Sequence, residues 1–232
     1  MVKVNRRKAG LPVRIVLFAA GILSASFGIV LCKKSGLGIS PVSSIPFVLE
    51  PVTSLSFGTL TFLFHLVNIV LQLILTCVYY RRVEVADTRQ EGSEYIRILM
   101  QVILAVAFGR IIDWISSVFR ISYSSFSIKT LLPGMIMLAG SIFFTAFGMA
   151  LMLRADLVQN PVDGSVRCLH RLISRSGWPD MGKVKNMYDI SCLAVSVILS
   201  IALLGRVAGI GIATIASALL VGRTLHLLQK RI

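Results

Sequence analysis

Acidic residues are scarce in this chain. Ten Asp and Glu stand among 232 positions, and charged residues of both signs reach only 15%, against ~25% in soluble domains. A soluble core of this size could not hide the 56% of residues that are hydrophobic, so much of that surface must face lipid. Cysteine is sparse as well. Cys32, Cys77, Cys168 and Cys192 form no CxxC pair and no zinc spacing, which argues against a disulfide scaffold or a structural metal. There is no HExxH, no GxSxG and no pair of intramembrane aspartates of the kind an intramembrane protease needs, so no enzyme is expected. The run Gly177-Trp-Pro-Asp-Met-Gly182-Lys183-Val184 imitates a phosphate-binding loop. It lacks the Ser or Thr that would hold magnesium, and no strand precedes it. Neither metal nor cofactor is expected.

What the chain has is apolar length. Mean hydropathy is +0.83, and runs of about twenty apolar residues are long enough to cross a bilayer. Six are predicted, over residues 13–31, 58–79, 96–119, 131–153, 184–204 and 207–228. The N-terminal stretch is too long for a signal peptide and is read as the first helix. The fold class is therefore an all-α polytopic membrane protein.

Lys and Arg exceed Asp and Glu by 14. In a soluble protein that excess would suggest nucleic acid, but no aromatic-interleaved basic module is present. The bases flank the apolar runs instead. Eighteen fall at the N-terminus, the second and fourth loops and the C-terminus, and five in the first, third and fifth loops. That bias places both termini in the cytoplasm of a cell inner membrane. Membrane lipids are the expected partners, with a small solute of unknown identity; a homodimer stays open.

The halves resemble each other. Phe27-Gly28 through Pro41-Val42 aligns without a gap on Phe147-Gly148 through Pro161-Val162, and six of the sixteen positions are identical at a constant offset of 120. Fainter echoes follow in the same order. His65 matches Asp189, and Phe108-Gly109-Arg110 matches Val221-Gly222-Arg223, with Asp113 opposite His226. Three helices per repeat is an odd number, so the second repeat must start on the opposite side. Residues 13–119 and 131–228, after a basic cytoplasmic segment 1–12, are thus expected to form two inverted three-helix repeats. Short helical or re-entrant segments should follow the first and fourth helices, where Pro41 and Pro161 stand. Inverted repeats are a hallmark of secondary transporters, whose sites lie at the repeat interface near mid-membrane.

The elements Lys34-Ser-Gly-Leu-Gly-Ile-Ser-Pro41 and Ser56-Phe-Gly-Thr59 resemble the YczE/YyaS/YitT group of bacterial membrane proteins. The resemblance implies a duplicated helical unit in the inner membrane and no defined substrate. Pro41-Val42-Ser43 stands where many members have Pro-Trp-Asp, and Leu157-Val158-Gln159 where a Leu-Gly pair is usual. The acid of the motif is kept as Asp163.

Polar groups inside the apolar runs are the site candidates, since an ionisable group at mid-membrane costs at least ~2.5 kcal/mol. Asn160-Pro161-Val162-Asp163 sets an amide and a carboxylate at a helix start, fit to cap that helix or to hold a cation or an amine. Ser40 and Ser43 flank the matching Pro41. Arg110 and Asp113 stand three apart on one helical face, spaced to neutralise each other. His65 and Asp189 sit at equivalent depths, and His65 suits a proton relay. Lys34 and Arg154 close the first helix of each repeat, where they snorkel to head groups or complement the dipole. Gly21, Ala25, Gly28, Gly140, Gly148, Gly205, Gly209, Ala213 and Ser217 are read as packing positions. A transporter of a small solute should show a polar cavity between the repeats. The rival, a scaffold or accessory partner of another enzyme, should be packed solid there.

Overall fold

The computed structural model describes residues 10–83, 88–121, 128–174 and 179–231. Most of the basic N-terminal segment and of the third loop lies outside those residues. Among these residues eight α-helices follow in order: α1 (Leu11–Lys34), α2 (Ser44–Leu49), α3 (Phe57–Val83), α4 (Thr88–Val118), α5 (Ile128–Ala155), α6 (Pro161–Ile173), α7 (Met181–Leu204) and α8 (Ile212–Arg231), with a 3-10 turn over Pro41–Ser43 leading into α2. Six of them, all but α2 and α6, are long and apolar enough to cross a membrane. Among the described residues there is no strand.

The helix ends follow local chemistry. Pro12 sits in the first turn of α1, and Lys33 and Lys34 in its last, where a missing N–H costs nothing and a cation meets the dipole. Asn160 Oδ1 accepts from Val162 N at 3.0 Å and Pro161 opens α6. Asp180 caps α7 through Gly182 N at 2.7 Å. At the far end of α7, Gly205 takes φ 64°, the left-handed cap that glycine adopts without Cβ strain.

The interior is organised around α1 and α5. They run antiparallel, since rising numbers in one meet falling numbers in the other. A Cβ on Gly28 would lie 2.6 Å from Thr145 N and 2.9 Å from Ser141 O, and one on Gly148 would lie 2.5 Å from both Ala25 N and Gly21 O. Backbones this close require glycine. Ser24 Oγ donates to Phe144 O at 2.8 Å in the same seam. Helix α4 packs on α1, α3 lies along α4, and α6 packs on α3; α8 packs on α5, and α7 packs on α6, on α2 and on the Pro41 turn. The close α3–α4 pairing has no counterpart of similar extent between α7 and α8 among the described residues.

The sixth span begins later than hydropathy predicts, at Ile212 rather than Val207. Residues 207–211 form a turn because Gly209 takes φ 77°, and the backbone there is spoken for. Ile39 N donates to Gly209 O at 2.8 Å and Ala213 N to Leu37 O at 2.9 Å. Gly205 and Gly209 are therefore turn residues, while Gly21, Gly28 and Gly148 serve packing as expected.

Candidate functional site

The polar residues that interrupt the second apolar run form one face of α3. Thr61, His65, Asn68, Gln72 and Thr76 recur every three or four residues, and all are buried. That spacing puts them on a single stripe, which faces α4, α6 and α7 rather than lipid.

Helix α6 is too short to span. It runs beside the second half of α3, held by contacts that step down both helices in parallel. Gln72 Nε2 donates to Pro161 O at 2.9 Å, Thr76 Oγ1 and Cys168 Sγ are 3.6 Å apart, and the Arg171 guanidinium lies 4.1 Å from the centre of the Tyr79 ring. Its first residue thus sits level with Gln72, sixteen residues into α3 and about 22 Å along it at 1.5 Å per residue. The Asn160-capped N-terminus of α6 points into the interior of the protein.

Around that N-terminus the polar groups interlock. Gln72 and Gln101 of α4 exchange two amide hydrogen bonds, at 2.8 and 3.0 Å. Ser165 Oγ donates to Asn68 O at 3.0 Å, and Tyr188 OH to Asn68 Oδ1 at 2.6 Å. Asp163 pairs with Lys185 of α7 at 3.1 Å. Its field also reaches His65 and Asp189. His65 Nδ1 and Asp189 Oδ1 are buried without a hydrogen-bond partner. An unpartnered buried polar atom is costly, so these two atoms at the junction are open to a ligand.

Of the expected site residues, Asp163, His65, Asp189 and Asn160 gather at this α3–α6–α7 junction. Ser40 and Ser43 lie elsewhere, 3.1 Å apart in the Pro41 turn against α7. Arg110 and Asp113 lie at the end of α4 remote from α6. Asp113 does not pair with Arg110 but caps α3 across the helix boundary, accepting from Gly58 N at 2.8 Å and Ser56 Oγ at 2.6 Å. Lys34 also serves as a cap, donating to Ser116 O at 3.0 Å and to Phe119 O at the end of α4. Gln101, Lys185, Tyr188 and Ser165 were absent from the expected set. Only the polar period in the second span hinted at them, because their pairing joins residues far apart in sequence.

Two further features frame the junction. Below it, Arg171 of α6 meets Glu94 of α4 at 2.9 and 3.0 Å, and Tyr80 OH donates to the same carboxylate at 2.8 Å. Burial disfavours the Arg171 charge, but the Glu94 hydrogen bond and field outweigh it and hold its pKa above the ordinary value. Burial likewise pushes the Cys168 thiol up against a weaker lowering by Thr76, so it stays protonated. At the opposite end of α3, a groove of about 220 Å³ opens between α3 and α4, lined by Thr59, Phe62, Val106, Arg110 and Asp113. It lies within one half of the chain, away from the α3–α6–α7 junction.

Six apolar helices with a buried polar seam define an integral, multi-pass membrane protein. More narrowly, a family described as a family of unknown function, DUF6198, matches residues 12–230, and the chain belongs to it. No curated protein and no solved structure matches the chain.

Proposed function

We propose that the protein is a secondary transporter of a small solute in the bacterial inner membrane, built from two inverted three-helix repeats with both termini in the cytoplasm. The repeat reading is supported by pairs of residues 120 apart that share one geometry. The seam contacts of Gly28 with Ser141 and Thr145 become those of Gly148 with Gly21 and Ala25 when the halves are exchanged. Gly36 and Asp156 both turn the chain with positive φ, at 72° and 48°. Ser40 and Asn160 share an extended cap conformation before Pro41 and Pro161. Because α1 and α5 are antiparallel, an exchange that carries one onto the other inverts the repeat. The likeness to the YczE/YyaS/YitT group supports the bacterial inner membrane.

The observation that carries the transport reading is the α6 N-terminus, set at mid-length of α3 against a continuous buried polar stripe. Interrupted helices ending inside the membrane are where transporters hold solutes. Asp163 neutralises Lys185 while no solute is bound. Lys185 then serves two carboxylates, Asp163 and Asp189, and the negative charge left over favours a solute that brings donors, an amine or a cation. The Glu94–Arg171 pair closes the inner end. Ser40 and Ser43 would line the counterpart of this site in the other repeat.

The mutual pairing of Gln72 with Gln101, Tyr188 with Asn68 and Asp163 with Lys185 favours a second reading, a non-transporting membrane partner. Proteoliposomes incubated with a metabolite extract, followed by mass spectrometry of the trapped solutes, separate the two. Wild type should accumulate at least one solute, and Asp163→Asn should lower that accumulation at least tenfold. Asn160, not Asp163, caps α6, and Asn keeps the size of Asp and can still accept from Lys185, so the variant should insert and fold. Full accumulation by Asp163→Asn would sink the site, and folded wild type that traps nothing would favour the partner reading.

A further inference from the structure

The groove between α3 and α4 pairs two opposite charges with apolar walls. Its floor is the crossing of Gly58 and Gly109, so close that a Cβ on Gly109 would stand 2.6 Å from Gly58 O. Phe62 and Val106 form its sides. Arg110 is exposed and makes no ion pair or hydrogen bond among the described residues. The surface around it is lipid-facing: Ile103, Val106 and Trp114 are 64%, 43% and 62% exposed.

A guanidinium on such a surface needs an anion. Asp113, one helical turn away, makes no ion pair with it; Ser56 Oγ and Gly58 N each donate to one of its oxygens. A carboxylate has about four lone-pair positions, so Asp113 keeps acceptor capacity toward the groove. Arg110 stands eight residues before the end of α4, about 12 Å along the helix. Its long stem can lift the charge to head-group level. A phosphate supplied by the surrounding lipid meets the first need, and a primary ammonium on the same head group meets the second.

We propose that this groove is a phospholipid site in which Arg110 takes the head-group phosphate, Asp113 the ammonium of an ethanolamine head group, and Phe62 and Val106 an acyl chain. Choline carries no N–H and would leave Asp113 unengaged. An anionic glycerol head group would bring no cation to it. The site is independent of any transported solute.

Native mass spectrometry of the full chain in mild detergent, titrated with phosphatidylethanolamine, phosphatidylcholine or phosphatidylglycerol, tests this. One phosphatidylethanolamine per chain should bind at least tenfold more tightly than either competitor. Arg110→Gln should reduce that adduct at least fivefold, Arg110→Lys should restore part of it, and Arg223→Gln, at an exposed arginine of α8, should leave it unchanged. Asp113→Asn should erase the preference for ethanolamine over choline. Equal adducts for wild type and Arg110→Gln would overturn the proposal, as would preferred binding of phosphatidylglycerol. Displacement of the lipid by an equal concentration of soluble phosphoethanolamine would also overturn it, since the acyl contact would then contribute nothing. So would a two-chain species without lipid, which would give the groove to a second copy.

Discussion

A methyl group at Gly148 would fall on backbone atoms of α1, and no side-chain rotation can make room for it. Overpacking of this kind typically costs ~1–3 kcal/mol. Gly148→Ala should therefore lower the melting temperature in detergent clearly. Gly222→Ala should leave it equal or higher, because nothing lies within 4 Å of a Cβ there and alanine favours a helix by up to ~1 kcal/mol. Equal melting of the two variants would deny the close seam. At this scale the sequence was partly legible. The small residues at Gly21, Ala25 and Gly28 announced a tight helix contact. The roles of Asp113 and Lys34 as caps on other helices were not legible, because each acts on backbone reached only through the fold. Arg14 is similar, donating to Ala155 O at 2.7 Å at the end of α5.

Among the elements, α3 depends on partners that satisfy its buried amides. Gln72 serves Gln101 and the Pro161 carbonyl at once. Gln72→Ala would strand Gln101, at ~1–3 kcal/mol for a group left buried and unpaired, while the Pro161 carbonyl keeps the Ser165 hydroxyl at 3.2 Å. Gln72→Ala and Gln101→Ala together should cost less than the sum of the single changes. A double-mutant cycle on thermal or denaturant unfolding should give a coupling of ~0.5–3 kcal/mol, and additivity would contradict the exchange of amides. Helix existence was readable from hydropathy at all six spans; helix ends were less so. Helix α4 starts at Thr88, ahead of the apolar run at Ile96, because Arg, Gln and Glu are good helix formers that hydropathy does not count. The 161–173 helix was foreshadowed by its Asn-Pro-x-Asp start, but its depth beside α3 was not.

At the scale of the whole molecule, the antiparallel α1–α5 pair is the axis about which the rest is arranged. The offset of 120 read from sixteen aligned residues reappears as contact geometry, including the Ser24–Phe144 hydrogen bond whose partners are 120 apart. The departure between α3–α4 and α7–α8 was invisible in sequence, since the echoes there were faint and side-chain partners had diverged. The candidate site was legible in its carboxylates and histidine, and illegible in Lys185, Gln101 and Tyr188, which long-range packing selects. Exchange of the halves makes one decisive demand. Ser54 and Ser174, 120 apart in the segments that follow the first helix of each repeat, must lie on opposite sides of the membrane. Labelling of Ser54→Cys and Ser174→Cys with a membrane-impermeant maleimide, read against the background of the native cysteines, measures this directly. Ser54→Cys should react in intact cells and Ser174→Cys only in inside-out vesicles; reaction of both from the same side would contradict the inverted arrangement.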